Sequence, residues 1–163
     1  MELKDLIYRF SNGPDNQRKA IFSTLFIAGN RLQTLFDCRI PSLSLKQFML
    51  LSIVRQADVH LTFTQLGEIL GCSRQNVKKL AVALEKKGFV TIWQNPNDLR
   101  AYSVFSTPKA NEYFENEFSV YLEEMKQLFS VYTDEELAQL FRLLMKLYDG
   151  IERLETAIGE DGE

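Results

Sequence analysis

The run from Leu61 to Pro108 constrains this chain more than any other part of it. Thr62 is followed three residues later by Gln65, a capping box that satisfies the orphan amides at a helix start. Leu66, Ile69 and Leu70 then supply an apolar stripe at helical spacing. Gly71 follows, a residue that enters a left-handed turn without a Cβ clash. Ser73 is a good N-cap for a second helix. In that helix Val77, Leu80, Ala81 and Leu84 recur at intervals of three, four and seven and predict one buried face. Two short helices joined by a tight turn are the result.

The opposite face of the second helix carries Gln75, Lys79, Val82 and Lys86, with Arg74 and Lys78 on one flank and Asn76 on the other. Amides pair with adenine, cations with guanine, and an apolar group touches the thymine methyl, so this mixture suits a major groove. Taken alone, such a face is equally that of a solvated amphipathic helix with scattered lysines. The next segment of the chain favours nucleic acid. Phe89 to Trp93 and Arg100 to Ser106 read as two strands, with Val90 and Ile92 alternating on the first and Tyr102 and Val104 on the second. Gln94-Asn95-Pro96-Asn97-Asp98 between them is a polar turn. An Arg100 projected from a thin loop suits a narrow minor groove, with Asp98 two residues away to orient it. The bland alternative for this pair is a surface ion pair of little worth. Helix, turn, helix and hairpin in this order give a winged helix-turn-helix, a module that lays its second helix in a DNA groove.

A net charge of −3 by itself argues against nucleic acid, but the distribution of charge argues for it. Residues 1–71 carry a net +2, residues 72–109 a net +5 and residues 110–163 a net −10. Positive charge gathers on the helix and wing, which is the footprint of an electrostatic docking surface.

Outside this module the pattern is helical. Leu3, Leu6, Ile7 and Phe10 allow a turn or two of helix, broken by Ser11-Asn12-Gly13-Pro14. A helix is predicted from Gln17 to about Phe36, with Ile21, Phe22, Leu25, Phe26, Leu32 and Leu35 on its buried side. Ser44 caps the next, carrying Phe48, Met49, Leu51 and Ile53 to about Gln56. Pro108 suits the first turn of one long helix to about Phe129, with Phe114, Phe118, Tyr121, Leu122, Met125 and Leu128 inside. Thr133 and Glu136 form another capping box. Beyond it Leu137, Leu144, Ile151 and Ile158 make one heptad row, and Leu140, Leu147 and Leu154 a second, widened by Phe141, Leu143 and Tyr148. Such a seam requires a partner helix, and a chain this size covers both terminal helices most economically by forming a homodimer. The fold class expected is therefore mainly α with a small β wing. Residues 41–107 form the winged helix-turn-helix DNA-binding domain, and residues 1–40 and 108–163 a helical dimerisation region.

The residues Leu66…Gly71-Cys72-Ser73…Val77…Leu84-Glu85-Lys86-Lys87-Gly88-Phe89-Val90, then Asp98-Leu99-Arg100-Ala101, resemble the MarR family of bacterial transcription regulators. The likeness continues at Thr107-Pro108-Lys109 and at Thr133-Asp134-Glu135-Glu136-Leu137…Leu140…Leu143-Leu144…Leu147, and spans roughly Gln17 to Leu154. The Asp-x-Arg wing after a Leu-Glu-Lys-x-Gly helix end is its most specific part. There are departures. Ile92 and Trp93 stand where basic residues are usual, which weakens the expectation of wing-to-phosphate contacts. Ser106 replaces a usual Leu and Ala110 a usual Gly. Trp93 is expected at the base of the sheet, with DNA or a neighbouring helix as other partners open to it.

The resemblance implies a dimeric repressor on double-stranded DNA with a pseudo-palindromic operator. DNA contacts are expected, from the outward face of the second helix and from the wing, at Ser73, Arg74, Gln75, Asn76, Lys78, Lys79, Asp98 and Arg100. The resemblance also implies a small aromatic or phenolic acid as effector, bound between the dimer helices and the reading heads and acting by differential stabilisation of two states. The many Phe of residues 22–63 are read as ordinary core rather than as a pocket. Two other readings stay open: a winged-helix adaptor that binds protein, and a regulator that senses oxidants through a cysteine. For the last, Cys72 lies at the turn before the second helix, where the helix dipole favours a thiolate, and the plainer reading is a small residue filling the turn. Cys38 lies past the end of the first long helix and is less suited.

No catalytic constellation is present, and His60, the single histidine, has no metal-ligand spacing around it. No cofactor is expected. Asp134, Glu135 and Glu136 read as first-turn charges favoured by the helix dipole. No apolar run is long enough to span a bilayer. The start lacks a basic region leading into an apolar run, and two distant cysteines make no disulfide framework. A soluble cytoplasmic protein is expected.

Overall fold

Local capping chemistry sets four of the helix starts in the computed structural model of the protein, which describes residues 3–9, 12–40, 42–57, 59–96, 101–116 and 118–160. The helices are α1 (Leu3–Arg9), α2 (Pro14–Arg39), α3 (Leu45–Gln56), α4 (Phe63–Leu70), α5 (Arg74–Lys86), α6 (Pro108–Asn116), α7 (Ser119–Phe129) and α8 (Asp134–Glu160). The strands are β1 (Leu61–Thr62), β2 (Val90–Gln94) and β3 (Tyr102–Ser106). This is the mainly α fold with a small β wing that the sequence predicts. The chain divides into two compact units, Met1–Asn111 and Glu112–Glu163.

In the first unit Ser44 accepts a hydrogen bond from the Gln47 amide, and Thr62 one from the Gln65 amide, both at 3.3 Å. The glutamine side chains return to the Ser44 and Thr62 amides, completing two capping boxes. The core is built by α3, α4, α5 and the sheet. Leu50 and Leu51 of α3, Leu66 of α4 and Val77, Ala81 and Leu84 of α5 are buried with Val90 and Val104 of the hairpin. Fully burying a side chain of this size contributes about 1.5–3 kcal/mol, so this cluster holds the module together. The sheet is antiparallel in the order β1-β3-β2, pairing Leu61 with Val104 and Ile92 with Val104. Strand β1 is not foreseen from the sequence. It is only two residues long, and its partner lies some forty positions away.

Several expectations need correction. Helix α2 starts at Pro14, after Gly13 at φ 82°, and runs through Arg39. No residue of α2 is buried, although all of them are described. Phe22 is 65% exposed and Phe26 61% exposed, with their rings 4.9 Å apart edge to face. The periodicity marks an apolar face, but its residues are not buried among the described residues. Near its C-terminus α2 is anchored, by Phe36 against Phe48 at 5.1 Å and by the Leu45 amide donating to Asp37 at 2.6 Å. On α3, Met49 is exposed while Leu50 is buried, and on α4 Ile69 is exposed.

The long helix expected from Pro108 to Phe129 is two helices. The Phe118 amide reaches the Tyr113 carbonyl, five residues back, and the Tyr121 amide bonds to the Phe118 carbonyl, three residues back. These wider and tighter turns replace the regular ladder, and no Gly or Pro announces them. Leu122, Met125 and Leu128 are exposed rather than inside. Helix α8 starts at the expected box, the Glu136 amide donating to the Thr133 hydroxyl and the Thr133 amide to the Glu136 carboxylate. Its two apolar rows are exposed except at Leu140, which is half-buried.

Candidate nucleic-acid interface

The turn between α4 and α5 is built from three backbone facts. Gly71 adopts φ 62° and ψ 38°, a left-handed conformation. The Cys72 amide then donates to the Gly67 carbonyl at 2.9 Å and the Gly71 amide to the Glu68 carbonyl at 3.3 Å, a Schellman closure. Third, Gly67 is buried, and a Cβ there would stand 2.7 Å from the Cys72 carbonyl oxygen. The helices can approach this closely only because residue 67 has no side chain. Ser73 then caps α5 by accepting from the Asn76 amide at 3.3 Å.

Val77, Ala81 and Leu84 of α5 are buried, whereas Leu80, expected on the same face, is only half-buried, as is Ala83. Ser73, Arg74, Gln75, Asn76, Lys78 and Lys79 are all exposed, along with Lys86, while Val82 is half-buried. Six of the eight predicted contact residues thus lie on one accessible surface around the N-terminal half of α5. The other two, Asp98 and Arg100, lie outside the described residues.

The C-terminal end of α5 redistributes the positive charge. Gly88 takes φ 79°, the Phe89 amide donates to the Leu84 carbonyl and the Gly88 amide to the Glu85 carbonyl. Lys87 then turns back onto α3, donating to the Ser42 carbonyl at 2.8 Å and to the Gln47 side-chain oxygen at 2.9 Å. Lys109 donates to the Lys87 carbonyl at 2.7 Å and lies 4.9 Å from the centre of the Phe89 ring. These two cations therefore brace the scaffold, and a simple charge count over residues 72–109 overstates what the outward face offers. Sequence reasoning also missed Glu85, whose carboxylate accepts from the Ile92 amide at 2.7 Å.

Trp93 is 48% exposed and is not packed into the base of the sheet. It borders a shallow hollow with His60, Thr91 and Phe105, the His60 and Phe105 rings being 4.3 Å apart. Cys38 is exposed and lies in the last turn of α2 rather than past its end, because the helix continues to Arg39, and Cys72 is half-buried. Among the described residues no three His, Cys, Asp or Glu side chains gather as a metal site. Nor is any described helix long and apolar enough to cross a membrane.

Fold and surface together define a winged helix-turn-helix: a capped helix pair backed by α3, followed by a two-stranded wing. Residues 43–102 match the model of the MarR family. The uncharacterized HTH-type transcriptional regulator YcgE of Bacillus subtilis is 30% identical over 92 residues, covering 56% of this chain and 60% of that protein. The transcriptional repressor MprA of Escherichia coli is 26% identical over 106 residues, covering 65% of this chain and 60% of its own length. The alignments thus span about three fifths of these curated relatives. In fold, the chain resembles MepR in the crystal structure of the S. aureus MepR–DNA complex, with a TM-score of 0.67 and 20% identity over 80% of this chain and 97% of that one.

Proposed function

We propose that this chain is a dimeric, sequence-specific DNA-binding transcriptional regulator of the cytoplasm, a repressor whose hold on its operator is loosened by a small aromatic ligand. The observation that carries the reading is the α5 surface. A helix that buries Val77, Ala81 and Leu84 presents Arg74, Gln75, Asn76, Lys78 and Lys79 outward from an N-terminus capped by Ser73. Side chains of this kind hydrogen-bond base edges and phosphates in a major groove, and the Ser73 end of the helix favours a phosphate. Asp98 and Arg100 follow from the wing, with Arg100 entering the minor groove. The names of the relatives support this reading: MprA is a transcriptional repressor, and the MepR structure is a DNA complex.

Assembly completes the picture. The exposed apolar residues of α2 and the heptad rows of α8 are covered by a second copy, so that residues 1–40 and 108–163 supply the dimerisation region. Two reading heads then meet half-sites about one helical turn apart. Binding of the effector near these helices changes the spacing of the heads and lowers affinity for DNA.

The test is a mobility-shift titration with A·T-rich duplexes selected from a random pool, repeated across salt concentrations. A regulator loses affinity steeply as salt rises, because each neutralised phosphate releases counterions. Absence of binding even at low salt rejects the proposal and favours an adaptor that binds protein.

A further inference from the structure

The structure assigns Glu85 a role that rests on the DNA-binding function proposed for this chain: it is a positioning residue that fixes the wing against the DNA-reading helix and so determines operator selectivity. Strand β2 is at the edge of the sheet, because the strand order is β1-β3-β2. Along β2 the ladder to β3 is framed by the Thr107 amide on the Phe89 carbonyl and the Asn95 amide on the Ala101 carbonyl. Ile92 is displaced from Phe89 and Asn95 by an odd number of residues, so its amide points away from β3. That outward amide donates to the Glu85 carboxylate at 2.7 Å. A carboxylate acceptor makes this bond about twice as strong as one between neutral groups.

Three features make this contact more than an edge cap. It joins the last turn of α5 directly to the middle of the strand that leads into the wing. It comes from the same four-residue segment, Glu85 to Gly88, whose Lys87 ties to Ser42 and Gln47. The recognition helix is thereby braced on one side to the scaffold and on the other to the wing. Moreover, Glu85 is exposed and acidic on a helix otherwise rich in cations. An acidic side chain here opposes attraction to phosphates, so a purely electrostatic surface gains by losing it. Its use as a brace accounts for its presence.

The experiment compares Glu85→Ala, Glu85→Gln and Glu85→Asp with the parent chain. Affinity is measured by fluorescence anisotropy for a duplex selected by the parent and for a scrambled duplex. Exchange of the Ile92 amide is followed by NMR. Glutamine keeps an acceptor oxygen at the same reach without the charge, and aspartate keeps the charge but is one methylene shorter. With a brace, Glu85→Ala and Glu85→Asp expose the Ile92 amide to exchange and lower selected-duplex affinity about tenfold, while scrambled-duplex affinity is unchanged or higher. Glu85→Gln keeps both protection and selectivity within about threefold. The role is overturned if Glu85→Ala and Glu85→Asp leave the affinity ratio unchanged, or if Glu85→Gln loses as much as they do. Equal losses on both duplexes point to general destabilisation and also overturn it. If the alanine variant does not fold, the aspartate and glutamine variants decide the matter alone. A parent chain that binds neither duplex rejects the DNA-binding function, and with it the selectivity role, while the Ile92 exchange still reports whether the tether exists.

Discussion

Replacing Gly67 by alanine isolates the geometry of the helix-turn-helix. Within a helix, alanine is favoured over glycine by about 1 kcal/mol, so the local propensity of α4 alone predicts stabilisation. The tertiary contact predicts the opposite. The new Cβ would stand 2.7 Å from the Cys72 carbonyl oxygen, 3.5 Å from the Arg74 amide nitrogen and 3.7 Å from the Ser73 carbonyl carbon. All three are backbone atoms, so no side chain can swing aside. Relief requires the turn to move away from α4, against the Cys72-to-Gly67 hydrogen bond at 2.9 Å. Overpacking of this kind costs about 1–3 kcal/mol, and a lost hydrogen bond adds about 1 kcal/mol. After subtracting the propensity gain, the net destabilisation is about 1–3 kcal/mol. Urea unfolding followed by the fluorescence of Trp93, the single tryptophan, reads this on the unit that contains the turn. With a urea m-value of about 1–3 kcal/mol/M, the midpoint falls on the order of 1 M. The displaced turn also carries α5 with it, so DNA affinity drops in the same variant. A midpoint equal to or above that of the parent chain would refute the close-approach argument.

Other substitutions probe the remaining links. Thr62→Ala removes one half of a capping box and lowers stability by about 0.5–2 kcal/mol in the same urea assay. Gln75→Ala and Lys79→Ala each cost about 1–3 kcal/mol of operator binding and change base preference, as selection from random duplexes would reveal. Lys87→Met weakens folding but leaves the salt slope of DNA binding unchanged, because its ammonium is engaged by Ser42 and Gln47. Charged substitutions at the exposed Leu144 and Ile151 convert the proposed dimer to monomer in light scattering at micromolar concentration, and a parent chain already monomeric there removes that proposal.

Capping chemistry and hydrophobic period are written locally, and the sequence determines them alone. Thr62 with Gln65, Ser44 with Gln47, Ser73 with the Asn76 amide and Thr133 with Glu136 each act within three residues, and each starts a helix in the structure. The same holds for the left-handed Gly71 and for the inward residues Val77, Ala81 and Leu84. These local signals specify the helix pair and the outward surface of α5.

Whatever depends on distant chain segments was decided by the tertiary structure. Strand β1 exists because Leu61 meets Val104. Lys87 is a brace because Ser42 and Gln47 come within reach of it, and Glu85 meets the Ile92 amide only once β2 turns back beside α5. The period of α2 marks an apolar face, yet it cannot say whether that face is covered from within, and Phe22 and Phe26 are exposed on the single chain. Periodicity records which side of a helix avoids solvent. Burial, backbone approach and long-range hydrogen bonds are set by where other segments arrive, a property no short window of residues contains.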